Sequence, residues 1–403
     1  MTFDLLIKGA HVLDPGQRLD GPLDIAIADG RIAALESDIA PEQAKRTLQL
    51  RGDNRRVVPG LIDLHTHTAF GATTPGVGLD CCEPDEVGVY SGVTTLVDTG
   101  SVGVTNIGVF GTHIQPRSKT RVICYVNVGS FALTTSRAAD VLSLDEVDRD
   151  WIARCITANP GLISGVKLRV TGPFVLEHGE ELISLSKSIA TEHHLPFMAH
   201  IGNRRANQQQ GEQLTRYLLA HQTPGDIITH LCTPHAGGVL DANGRPLAEF
   251  VEARARGVVM DSALGRHNFS FNVARAQADL GIQPDTISTD ITPGGYGEIV
   301  FSLLECMAKF MALGYSLSDV VRMTTINPAR GLGLADQIGA IGVGRTADLS
   351  IIDIVSGKWR FTDTLEDERV GEHALVPVHT LRAGELIAPN WGPHTWGWLP
   401  EAA

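Results

Sequence analysis

Apolar and polar positions alternate with a period of two near both ends of the chain. The N-terminal segments LLIKGAHVL, LDIAIADGRIAAL and RTLQLRGDNRRVV are broken by Asp-Pro-Gly, Ala-Asp-Gly and Arg-Gly-Asp-Asn. That is strand and turn chemistry. The same texture returns in IGVGRTADLSIIDIVSGKWRF and ALVPVHTLRAGELI. Neither end supplies enough strands for a stable sheet of its own. The pattern therefore predicts one small β-sandwich assembled from residues 1–58 and 340–403, with the middle of the chain inserted between them.

Over residues 59–339 the rhythm changes to short apolar runs alternating with helical stretches. The strand candidates are VVPGLIDLHTH, VTTLVDTG, RVICYVNVG, ISGVKLRV, LPFMAHIG, DIITHLCT, GVVMDSALG and DTISTDI. A helix signal between two of them is Ser143-Leu-Asp-Glu146 ahead of VDRDWIARCITA, where Ser143 would cap and Glu146 reach back. Eight strands alternating with helices over roughly 250 residues predict an α/β fold, the (β/α)8 TIM barrel. A doubly wound open sheet is the alternative, but no GxGxxG opens a helix after the first strand.

Composition narrows the partners. The 403 residues carry a formal charge of −13, which argues against nucleic acid or an anionic membrane surface, since both need a basic face. No apolar run approaches the roughly 18 residues that span a bilayer. The N-terminus lacks the pattern of a signal peptide, and the six cysteines show no CxxC pairing. Reduced thiols in a cytoplasmic protein that acts on a small molecule fit these features. A homo-oligomer is compatible with them.

In such barrels chemistry sits at the C-terminal ends of the strands. The first candidate strand ends in His65 and His67, which share a face because strand side chains alternate. The fourth carries Lys167 and Arg169 on one face, the fifth ends in His200, the sixth in His230 and the eighth in Asp290. One histidine on an apolar strand is more often a core or surface residue than a ligand. Four histidines and an aspartate at successive strand ends read as a metal site. Lys167 is the odd member, because a buried ammonium beside cations costs several kcal/mol. Carboxylation by carbon dioxide would turn it into an anion whose two oxygens can bridge two metals.

These residues make the sequence resemble the amidohydrolase superfamily along nearly its whole length. The family pattern is HxH after strand one, a carboxylated lysine after strand four, histidines after strands five and six and aspartate after strand eight. It falls here on His65, His67, Lys167, His200, His230 and Asp290. The segments PGLIDLHTH, GVTTLVDTG and Asn327-Pro-Ala-Arg-Gly-Leu-Gly are also family-like. The resemblance implies two divalent metal ions, usually Zn2+, one held by His65, His67 and Asp290 and the other by His200 and His230. Carboxylated Lys167 would bridge them. It also implies hydrolysis at a carbonyl, with Asp290 as general base and acid.

Within the superfamily the chain resembles the dihydroorotase-like branch, but Ala69 stands where dihydroorotases carry an arginine for the substrate carboxylate. That departure favours the deacetylase-like members, which act on acetyl esters of α-hydroxy acids such as mandelate and on N-acetyl-D-amino acids. Arg169 could supply the missing carboxylate contact, and Tyr296, in the loop past Asp290, a polar one. A cyclic amidase such as a dihydroorotase is the alternative, and a catalytically silent scaffold a remoter one.

Overall fold

The computed structural model describes residues 2–73, 81–134 and 141–390. The last part of the expected C-terminal sandwich segment, residues 391–403, lies outside the described residues. The N-terminal strands are β1 (Leu5–Asp14), β2 (Leu19–Ala28), β3 (Arg31–Glu36), β4 (Thr47–Gln49) and β5 (Arg55–Pro59). Eight strands follow: β6 (Leu61–Thr66), β7 (Val93–Thr99), β8 (Arg121–Asn127), β9 (Ile163–Arg169), β10 (Phe197–His200), β11 (Ile227–Thr229), β12 (Val259–Ala263) and β13 (Thr286–Ser288). The chain ends in β14 (Leu349–Thr362), β15 (Glu368–Arg382) and β16 (Glu385–Ile387).

The central eight strands form one parallel sheet in sequence order, β6 to β13. Its ends meet: the Asp290 N–H donates to the His65 carbonyl at 2.7 Å and the His67 N–H to the Ile291 carbonyl at 3.2 Å. Asp63 also accepts from the Thr289 N–H at 3.0 Å and its hydroxyl at 2.6 Å. The barrel is thereby nearly closed. Every residue of β6 and β7 is buried, as expected for parallel strands covered by helices.

The terminal strands build a separate mixed sheet in the order β16-β15-β14-β5-β1-β2-β3, with β4 on β1. Strand β14 pairs antiparallel with β5, which joins the two ends of the chain. Ile7, Val12, Ile25, Ile27, Leu349, Ile351 and Leu381 give this sheet an apolar core of its own. Among the described residues no helix is long and apolar enough to cross a membrane.

Two local readings of the sequence change. The run VVPGLIDLHTH is two strands rather than one, because the chain leaves the terminal sheet after Pro59 and enters the barrel at Leu61. Gly60 makes that crossing: a Cβ there would lie 2.3 Å from Thr94 Oγ1. Ser143 makes no side-chain cap, and only a single 3-10 turn, Leu144–Glu146, follows it. The helix starts at Arg149, where Asp148 accepts from the Trp151 N–H at 2.9 Å. Glu146 instead accepts from the Leu142 N–H at 3.0 Å. Both sites offer an Ncap-type side chain, and the carboxylate directly before the amphipathic run takes the role.

Candidate metal centre

The barrel mouth encloses a cavity of about 490 Å³ lined by His65, His67, Lys167, Arg169, His200 and Asp290, together with Arg204, Arg266, His267 and Asn268. His65, Lys167 and His230 are at most 1 % exposed. His230 Nε2 lies 3.8 Å from Asp290 Oδ2, and the His200 and His230 rings are 4.1 Å apart. The structure thus brings together all six residues that the strand ends singled out. Ligand atoms of His65, His67 and Asp290 lie within 4.8 Å of one another.

Hydroxyl and carbonyl groups behind the rings decide which nitrogen faces inward. Thr229 gives its one hydroxyl proton to Asp261 Oδ2 at 2.8 Å, so at its 2.8 Å contact with His65 it accepts from Nδ1–H. Ser101 likewise donates to Asp98 at 2.7 Å and accepts from His67 Nδ1–H at 2.8 Å. His230 Nδ1–H donates to the Ala263 carbonyl at 2.8 Å. With Nδ1 protonated, each Nε2 carries a lone pair. These lone pairs meet a carboxylate: Asp290 Oδ1 is 3.4 Å from His65 Nε2 and 3.1 Å from His67 Nε2. His230 Nε2 is buried without a hydrogen-bond partner among the described residues. Lone pairs converging on a carboxylate repel one another unless a cation lies between them. This donor set fits divalent metal.

Burial supports the same protonation state. It lowers His65 and His200 well below the usual histidine range, with neighbouring cations and imidazoles adding to the effect. Burial also lowers His230 to about 4, although Asp290 pulls the other way. Neutral imidazoles are the form that binds metal. Behind them Asp261 is pushed up by burial to about 6, while accepting from Thr229, Thr286 and Ser288. Thr229→Val should leave His65 Nδ1 without its acceptor and weaken metal retention about 10- to 100-fold. A chelator-competition titration measures this.

Backbone geometry at the site is costly. His230 has φ 73 and Asp290 φ 49, a left-handed conformation that costs non-glycine residues about 1–3 kcal/mol and is concentrated at functional sites. Lys167 Nζ lies 3.4 Å from His65 Nε2 and 3.4 Å from Met198 Sδ. Room for its stem depends on Gly100, where a Cβ would stand 2.8 Å from Lys167 Cβ.

Arg169 lines the cavity beside Lys167. Tyr296 is not among the lining residues, which reach Thr292, Pro293 and Gly294 in that loop. Its ring packs against the barrel core and its hydroxyl is buried without a partner among the described residues. The expected Tyr296 contact with substrate therefore has no support from the cavity lining. Ala69 is fully buried in the barrel core. Sequence reasoning missed Thr229, Ser101, Asp98 and Asp261 behind the histidines. It also missed Arg204, Arg266 and Asn268 in front of them. Position three and five residues after strand β12 was the available signal for the last pair.

A barrel with these donors at its mouth defines a metal-dependent hydrolase class. The Amidohydrolase family pattern matches residues 56–387. A protein named deacetylase from Enterococcus faecalis is 30% identical over 390 residues, covering 96% of this chain and 99% of the relative. Another deacetylase, from Brucella anthropi, is 31% identical, covering 92% of this chain and 89% of its own. The crystal structure of an adenine deaminase superposes with a TM-score of 0.85 at 29% identity, covering 96% of this chain and 100% of that one. A dihydroorotase structure gives 0.81 at 27% identity, over 96% and 99%. The chain belongs to the amidohydrolase family and is a hydrolase.

Proposed function

We propose that the protein is a binuclear metal-dependent deacetylase, cleaving an acetyl amide or ester of a small carboxylic acid. The observation that carries this reading is the convergence of three Nε2 lone pairs on the Asp290 carboxylate, with Lys167 beside them and Arg169 in the same cavity. The similarity to proteins named deacetylase over nearly the whole chain supports the substrate class.

His65, His67 and Asp290 would hold one metal and His200 and His230 the other, with Lys167 carboxylated between them and Zn2+ the expected ion. Two bound divalent cations lower the pKa of a shared water toward neutrality and polarise the acyl carbonyl. The protein's own groups do the rest. Asp290 Oδ1 faces His65 and His67, while Oδ2 accepts from Asn268 Nδ2 at 3.3 Å. Oδ2 is then the oxygen that takes the attacking water's proton and returns it to the leaving nitrogen or oxygen. Arg169 anchors the carboxylate of the substrate, where a guanidinium offers a paired donor fork. The products are acetate and the free amino or hydroxy acid, which balances one water consumed.

Cyclic amide hydrolysis is the second reading, favoured by the 0.81 TM-score to a dihydroorotase. Ala69 weighs against it, since a methyl group packed in the core replaces the anion-binding arginine. Two measurements test the proposal. Metal analysis of purified protein should give about two equivalents, and one equivalent would remove the bridged site. A screen of N-acetyl-D-amino acids and acetyl-mandelate against dihydroorotate should show turnover of the acetyl compounds. Turnover of dihydroorotate alone would reject the deacetylase.

A further inference from the structure

Three guanidiniums line the cavity: Arg169 ends β9, Arg204 follows β10 and Arg266 follows β12. They occupy one arc of the barrel wall. Arg266 pairs with Glu298 at 3.0 Å. Among the described residues, Arg169 and Arg204 have no side-chain ion pair or hydrogen bond. Asp290 is the one carboxylate lining the cavity among the described residues, and it faces the histidines. A chain with a formal charge of −13 therefore concentrates uncompensated positive charge at this mouth. Such focusing recruits anions.

The two unpaired arginines act at different depths. Arg169 is half-buried, and its charge falls on His200 and His230 in the metal centre. Arg204 is exposed, and its charge falls on His235 and His267 further out. One phosphate would need both guanidiniums on one group. Two cations staggered along a cavity match two carboxylates on one molecule.

We infer that the substrate is an acetylated dicarboxylic acid, with one carboxylate on Arg169 and the distal one on Arg204. This rests on the deacetylase reading. A cavity of about 490 Å³ has room for such a molecule. Arginine suits each end, because its planar fork binds a carboxylate bidentately.

The test compares N-acetylglutamate with N-acetylglutamine, in both enantiomers, on metal-loaded enzyme. The pair differs in charge and hardly in shape. A kcat/KM at least about tenfold higher for the glutamate compound is expected, equal to about 1.4 kcal/mol. The preference should shrink to about twofold in Arg204→Gln and fall with added salt. Equal rates in the wild type, or a preference that survives Arg204→Gln, would overturn the inference. Calorimetry with glutarate and butyrate gives a readout that needs no hydrolysis. Tighter binding of glutarate, lost in Arg204→Gln, supports the two-anion site even if no acetyl compound is cleaved, and the deacetylase reading alone then falls. Inorganic phosphate binding more tightly than glutarate would overturn the two-carboxylate assignment.

Discussion

Asp290→Asn is expected to lower kcat by about 10³-fold or more while keeping most of the bound metal. Asparagine retains a carbonyl oxygen that can stay near His65 and His67, so ligation is only weakened. It has no oxygen able to accept and return a proton at the reacting centre. General acid–base groups contribute typically about 10²–10⁴-fold, and Asp290 is assigned both proton transfers. Asn268 Nδ2 donates to Oδ2 at 3.3 Å, so the amide form would also set two NH2 groups face to face unless it flipped. Steady-state kinetics with metal analysis on the same preparation reads the effect. A loss of less than about tenfold with metal retained would remove Asp290 from the proton path.

The second large effect is at Lys167. Lys167→Ala should reduce bound metal from about two equivalents to one or fewer and depress kcat/KM by about 10³-fold or more. The side chain is 1 % exposed with its Nζ 3.4 Å from His65 Nε2. A cationic amine at that distance would repel any metal on the same imidazole, whereas a carbamate would bind it. The alanine variant removes the bridge without adding bulk, so folding should survive and circular dichroism should match the wild type. Undiminished metal content in Lys167→Ala would show that the lysine bridges nothing.

These variants also mark how far the sequence could be read. The six residues named from strand ends all reach the mouth or its walls, because barrel topology carries every strand's C-terminal end to one face. Period-two alternation then selects the inward side chain, which is why the His65 and His67 rings lie 5.6 Å apart. The same alternation brought Arg169 into the cavity two residues beyond Lys167. Tyr296 lies outside the cavity lining because it sits in a loop. Past the end of a strand no period applies, and its ring packs against the barrel core instead. Ser143 failed for a related reason: two capping side chains were on offer, and Asp148, directly before the helix, takes the cap.

By itself the sequence determined the elements, their order and the chemical type of each group at the strand ends. Those are properties of neighbouring residues along one chain, and the periods of strand and helix express them directly. Only the tertiary structure decided the protonation geometry of the metal centre and the charge of its entrance. Thr229 lies 164 residues from His65 and Ser101 belongs to the loop after β7, yet these two hydroxyls direct each Nε2 lone pair inward. Arg169 and Arg204 likewise reach one cavity, the first from β9 and the second from the loop after its neighbour β10. No local pattern encodes such pairings, because they arise when the last barrel strand closes on the first and every strand end meets the others across a single mouth.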